Sequence, residues 1–177
     1  HVTLNRTGAR RWEAGHPWIY RGHLAATPAN PLPGVVSVID DRGRFAGRAL
    51  YSPASQIALR FLSHHDVPID TAFLIDRLRR ARAYREATLG RPDACREVFG
   101  ESDGLPSLIV DRYGDTLVLQ CLSAGLETMR PQLIEALEEV YAPEGILARN
   151  DPAVRSLEDL PREVVVWAGE VPEIGRA

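Results

Sequence analysis

The sequence predicts an α+β protein in two parts: a small β-rich unit over residues 1–65 and an α+β unit over residues 66–177. Three observations carry that expectation. Prolines at positions 17, 28, 31, 33 and 53 break the first third into short segments that alternate apolar and polar side chains. A helical spacing of apolar residues begins only after Asp66-Val67-Pro68. The charge divides at the same point. Residues 1–64 hold eight arginines against Glu13, Asp40 and Asp41, a net of +5, whereas the remainder holds 13 arginines against 21 acids, a net of −8.

In the first part, residues 34–40 alternate and are followed by the turn residues Asp41-Arg42-Gly43, and residues 45–51 and 56–62 continue as short β-rich runs. Four or five short strands in so few residues suggest a small barrel, which buries its edges by closing. In the second part, Asp70 can cap a helix in which Phe73, Leu74, Leu78, Ala81 and Tyr84 recur at helical spacing, until Gly90 and Pro92 end it. Residues 108–112 and 116–122 flank Tyr113-Gly114-Asp115, a hairpin signal. An amphipathic helix follows over residues 125–141, and residues 144–150 and 164–168 supply two more strands, giving a β-β-α-β-β order.

Composition removes several classes. At 45% hydrophobic and 25% charged residues the chain is of ordinary globular type. No apolar run approaches the roughly 20 residues that cross a bilayer, and no signal-peptide pattern opens the chain. Cys95 and Cys121 cannot make a disulfide framework or a structural zinc site by themselves, so a reducing, cytoplasmic setting with no membrane partner is expected. The start at His1 and the uncapped end over residues 173–177 read as fragment boundaries. All 21 cations are arginine, which fits a GC-rich genome as well as a phosphate-binding surface.

No nucleotide-binding glycine loop, no Gly-x-Ser-x-Gly elbow and no His-Glu-x-x-His motif occurs. His64-His65-Asp66 reads as a linker rather than as metal ligands, since adjacent residues in a strand point to opposite faces. Glu101, Asp103 and Asp111 suggest a carboxylate set for acid–base chemistry. The loop Gly100-Glu101-Ser102-Asp103-Gly104-Leu105-Pro106 has the residues of a turn held by its own hydrogen bonds, and the structural role is favoured. Cys121 lies in an apolar strand and Cys95 has no nearby histidine, so both read as structural. The segment 15–22, Gly-His-Pro-Trp-Ile-Tyr-Arg-Gly, joins aromatics that stack on bases to cations that take phosphates. Trp18 and Tyr20 share one face of a strand and serve equally as core, which leaves the arginines as the better contacts.

Four segments in order carry a resemblance: residues 15–19 (Gly-His-Pro-Trp-Ile), residues 51–57 (Tyr-Ser-Pro-Ala-Ser-Gln-Ile) with Arg60, residues 100–106, and residues 110–114 (Val-Asp-Arg-Tyr-Gly). With them the chain resembles the N-terminal portion of the bacterial large-subunit rRNA (cytosine-C5) methyltransferases that use S-adenosylmethionine. The resemblance implies a PUA-like RNA-binding unit over residues 1–65 and a central β-β-α-β-β unit over residues 66–177. It also implies that a Rossmann-like methyltransferase domain, its catalytic cysteine and its S-adenosylmethionine site are absent from this chain. On that reading the chain is not itself catalytic, has no cofactor or metal of its own, and positions rRNA for the full-length enzyme. A homodimer would form through the missing domain. The implied RNA contacts are Arg10, Arg11, His16, Arg21, Ser52, Ser55 and Arg60. Two other readings stand beside it: a stand-alone RNA-binding or ribosome-assembly adaptor, and a small hydrolase built on Glu101, Asp103 and Asp111.

Overall fold

The computed structural model describes residues 1–90 and 92–172. The uncapped end expected over residues 173–177 lies outside the described residues.

The first sheet contains β1 (Val2–Leu4), β2 (Trp18–Tyr20), β3 (Leu24–Ala26), β4 (Gly34–Ile39), β5 (Phe45–Tyr51) and β6 (Ile57–Ser63), with helix α1 (Arg6–Glu13) between β1 and β2. The strand order is β2-β6-β5-β4-β1-β3. Every neighbouring pair is antiparallel except β1 with β4. The closed barrel expected for this part is therefore corrected: among the described residues, β2 and β3 stand at the two ends of the ladder. These are three-residue strands joined by a 3-10 turn over Arg21–His23, too short to present long exposed edges. The alternation read in the sequence delivers Val2, Leu4, Ile19, Val38, Ala49 and Leu59 to a common core.

Helix α1 is an addition to the β structure that the sequence predicts for this part, and it contains Gly8, a poor helix former. The helix forms because the Asn5 side chain caps it, accepting from the Thr7 and Gly8 N–H groups at 3.0 Å each. Glycine is needed at position 8 because a Cβ there would lie 2.5 Å from the His23 carbonyl oxygen. The helix thus lies hard against the turn that joins β2 to β3.

The second sheet contains β7 (Ala94–Phe99), β8 (Leu108–Tyr113), β9 (Thr116–Cys121), β10 (Gly145–Asn150) and β11 (Glu163–Gly169), in the order β11-β10-β9-β8-β7. Helix α2 (Thr71–Leu89) is capped by Asp70, which accepts from the Phe73 N–H at 3.0 Å. Helices α3 (Ala124–Glu127) and α4 (Arg130–Tyr141) replace the single helix expected over residues 125–141. Pro131 opens α4, where its missing N–H costs nothing, and it cannot extend the turn before it. Leu74 and Leu78 of α2 and Leu133 and Leu137 of α4 pack with Val98, Val110, Leu117 and Leu119 of the sheet.

Two features correct the expected β-β-α-β-β order. Strand β7 precedes it, and β9 and β10 run parallel, so α3 and α4 form a crossover between them. Strand β7 escaped the periodicity because its core-facing position 97 is a glutamate. Glu97 is only 3% exposed and pairs with Arg112 on β8 at 2.8 Å. Leu50 and Leu62 of the first sheet also join the second core, so the two sheets share apolar contacts.

Candidate nucleic-acid interface

The basic character of the first part survives folding at particular side chains. Arg44 is taken up by Asp40 and Glu13, Arg48 by Asp66, and Arg60 by Glu158. Among the described residues, Arg6, Arg10, Arg11, Arg21 and Arg42 make no ion pair with a carboxylate. Arg6 and Arg42 were not singled out in the sequence. The usable signal is the scarcity of acids in residues 1–64, which cannot neutralise eight cations.

Arg10 and Arg11 occupy the last turn of α1, where the helix dipole favours positive charge. Arg10 is exposed, with no hydrogen bond tying its guanidinium to the fold. Arg11 is held: its Nε donates to the Trp18 carbonyl at 3.1 Å, its guanidinium lies 4.9 Å from the centre of the Tyr20 ring, and Nη2 is 2.5 Å from His16 Nε2. Because arginine only donates, that contact makes His16 Nε2 the acceptor. Burial, and then the Arg11 charge, push the His16 imidazole below its ordinary value of 6.5. His16 is therefore a neutral brace for Arg11. Arg21 reaches across to the loop between β5 and β6, where it donates to the carbonyls of Ala54 and Ser55. Its charge stays exposed and without a counter-ion among the described residues.

The other three expected contacts are placed elsewhere. Ser52, Ser55 and Arg60 are 0%, 3% and 5% exposed. Arg60 pairs with Glu158 at 2.7 Å, Ser52 Oγ accepts from the Gly125 N–H at 3.2 Å, and Ser55 Oγ accepts from the Ile57 N–H at 3.2 Å. Burial and these partners remove all three from the candidate surface. They join the first sheet to the second half of the chain.

The aromatic segment divides as its strand dictates. Ile19 is fully buried, while Trp18 and Tyr20 face the other way. The Trp18 indole Nε1 donates to Glu101 Oε1 at 2.7 Å, a link between the two halves that sequence reasoning missed. The carboxylates considered for hydrolysis are all engaged. Glu101 accepts from Trp18, Asp103 from both Arg85 and the Phe99 N–H, and Asp111 from Arg96. The hydrolase reading fails on those bonds. His64 accepts from Trp12 Nε1 at 3.0 Å and stacks on Phe61, as befits a packed linker, and no metal-binding cluster occurs among the described residues.

S-adenosylmethionine is the cofactor that the resemblance implies. In a strand–helix–strand unit a nucleotide-like cofactor sits beyond the strand end, against the N-terminus of the helix. The unit β9–α3–α4–β10 has that position filled by the chain itself. The Ala124 N–H donates to Glu158 Oε2 at 3.1 Å, and the Gly125 N–H donates to Ser52. A Cβ at Gly125 would lie 2.9 Å from Leu50 Cβ and 3.0 Å from the backbone N and O of Tyr51. The described residues do not fit the cofactor at this turn, and no methyl-transfer step is assigned to them.

Comparison with known proteins bears on these features. Residues 2–64 match the model of a PUA-like domain. The chain is 40% identical over 161 residues to proteins named ribosomal RNA large subunit methyltransferase I from Cronobacter sakazakii, Yersinia pseudotuberculosis and Yersinia pestis. The alignment covers 89% of this chain and 41% of the relatives, so the chain spans less than half their length. A solved structure from Streptococcus mutans, described as a SAM-dependent methyltransferase, matches 97% of this chain and 44% of its own, with a TM-score of 0.79 and 17% identity. A second, described as a methyltransferase complexed with SAH, matches 84% of this chain and 39% of its own, with a TM-score of 0.73 and 17% identity.

The expected fold class, a small PUA-like β-barrel followed by an α+β unit with the Rossmann-like methyltransferase domain absent, is thereby corrected. Nearly the whole chain superposes on a part of these structures, so its fold is one shared with a segment of them.

Proposed function

We propose that this chain recognises and positions ribosomal RNA for a SAM-dependent large-subunit rRNA methyltransferase acting at C5 of a cytosine. The observation that carries the reading is the 40% identity over 161 residues to proteins named for large-subunit rRNA methylation. The four ordered segments of the resemblance supply the cytosine-C5 assignment. The residues read as PUA-like, 1–65, form the RNA-facing unit, and residues 66–177 form the unit that fixes its orientation.

The proposed contact surface is the end of α1 with the turns beside it. Arg10 offers a freely rotating cation, and Arg11 a braced one steadied by His16 and Tyr20. Arg21 offers a third, anchored to the β5–β6 loop. Guanidinium groups take phosphate oxygens in pairs of hydrogen bonds, and the unneutralised charge draws the polyanion in.

Fluorescence anisotropy with a labelled large-subunit rRNA fragment tests this. Affinity should fall steeply as salt rises from 50 to 200 mM, with a log–log slope of roughly −0.7 to −0.9 per phosphate contact. An affinity indifferent to salt, or no preference for structured rRNA over a neutral competitor, would overturn the proposal.

A further inference from the structure

A partly enclosed cavity of about 190 Å³ lies between the last turns of α2 and α4 and strands β7 and β8, with no residue of the first sheet in its lining. Its floor is Glu97, whose environment is unusual. Glu97 Oε1 is fully used, accepting from Arg112 Nε at 2.8 Å and from the Cys95 thiol at 3.2 Å. Glu97 Oε2 is buried and accepts from nothing. Beside it the Tyr141 hydroxyl is likewise buried and without a partner. Burial and then the Glu97 charge push the Tyr141 phenol well above its ordinary range, so it keeps its proton. A carboxylate oxygen left unpaired in such a place costs free energy comparable to a lost charged hydrogen bond.

The remaining walls decide the sign of the missing partner. The arginines that line the cavity are committed to the fold. Arg112 also donates to the carbonyls of Pro92 and Gly114, Arg85 grips Asp103, and Arg82 reaches Glu86 and the Val140 carbonyl. Asp93 and Asp115 line the same space, exposed and without a side-chain partner among the described residues. The C-terminal ends of α2 and α4 both border the cavity, and helix C-termini carry partial negative charge. Among the described lining residues, what is left over is acceptor and negative. The described residues offer no metal-type cluster, so a bare metal ion is not the match.

We propose that this cavity binds a small organic cation, an ammonium or guanidinium group, whose N–H donors satisfy Glu97 Oε2 while Tyr141 and the Asp93 and Asp115 carboxylates surround it. No residue of α1 lines the site, and the proposal does not depend on the RNA reading.

Calorimetric titration of the intact chain with putrescine and with methylguanidinium, at matched ionic strength, tests the proposal, with 1,4-butanediol as the neutral control. Saturable binding of one equivalent of cation and none of the diol is expected. Glu97→Gln keeps the shape and removes the charge, and should weaken binding by about tenfold or more. If that variant loses its fold through the Arg112 pairing, Tyr141→Phe decides, with an expected loss of roughly threefold. Absence of saturable cation binding at millimolar concentration, equal binding of the diol, or unchanged binding in a folded Glu97→Gln variant would each overturn the proposal. The orphaned oxygen would then be satisfied by ordered water alone.

Discussion

Arg60 and Glu158 stand 98 positions apart in the sequence and meet at 2.7 Å in a pair that solvent barely reaches. The guanidinium comes from β6, beside the end strand β2 of the first sheet, and the carboxylate from the turn before β11. The second oxygen of Glu158 accepts from the Ala124 N–H, so one side chain holds a strand and a helix start together. Removing one partner leaves the other charge buried and uncompensated, which typically costs about 3–5 kcal/mol. Arg60→Ala and Glu158→Ala should each lower stability by that order in chemical denaturation. A loss below about 0.5 kcal/mol would show the pair to be solvated.

Acid should weaken the same junction. Burial pushes the Glu158 carboxyl upward, but hydrogen bonding with Ser55, the Arg60 charge and hydrogen bonding with Ser52 outweigh it, leaving the group below its ordinary value of 4.5. Asp40 behaves alike: burial opposes, while the Arg44 and Arg42 N–H groups and the Arg44 side chain prevail, holding it below 3.8. A carboxyl depressed in the folded state contributes stability that is complete above its unfolded value and is lost as pH falls through its folded value. These two carboxyls should therefore leave stability level from neutral pH to about pH 5 and lower it below about pH 4. The depressed His16 imidazole adds a separate, smaller loss as pH falls below about 6.5. Glu158→Gln should flatten part of that decline, as followed by denaturant midpoints across pH.

Gly125→Ala should destabilise although it is chemically slight. The added Cβ would press on the backbone of Tyr51, which cannot swing aside as a side-chain tip can. A cost of about 1–3 kcal/mol is expected from such overpacking. A melting temperature equal to that of the unchanged protein would mean that the helix start can retreat.

Arg10→Ala should weaken RNA binding without lowering stability, because Arg10 makes no bond to the fold. It should also reduce the salt slope by about one contact's worth. Arg11→Ala should do both, weakening binding and costing about 0.5–1.5 kcal/mol through its lost bond to Trp18. Equal stability losses in the two variants would show that α1 is not built in this way.

The two thiols should differ in reactivity. Cys121 is fully buried, and burial followed by the Glu127 charge raises it well above the ordinary thiol value of 9.0. Cys95 is half-buried, and burial together with its bond to Glu97 raises it more modestly. Iodoacetamide at neutral pH should label Cys95 slowly and Cys121 only on unfolding, as read by mass spectrometry.

Some of this was legible in the residues alone. Asp70 announced α2 because a carboxylate before an apolar 3.6 repeat is a local signal, and the loop at residues 100–106 announced itself through its turn residues. Helix α1 has no apolar 3.6 repeat to announce it, and the reason for its Gly8 lies 15 residues away at His23. Strand β7 was hidden by Glu97, whose partner lies on the next strand. The same limit applied to the candidate surface. Nothing local distinguishes Arg10, which faces water, from Arg60, whose counter-ion is set by a turn 98 positions later. Spacing reveals which face a residue takes, but long-range partners determine whether its charge remains available.

The contact of Gly125 with the backbone of β5 has a consequence for recombination. A chimera that exchanged residues 1–65 with those of a related protein would graft a foreign strand onto a surface machined for Leu50, Tyr51 and Ser52. Such a hybrid should assemble only if the stretch from Ser123 to Glu158 travels with it, so the two halves are inherited as a matched set.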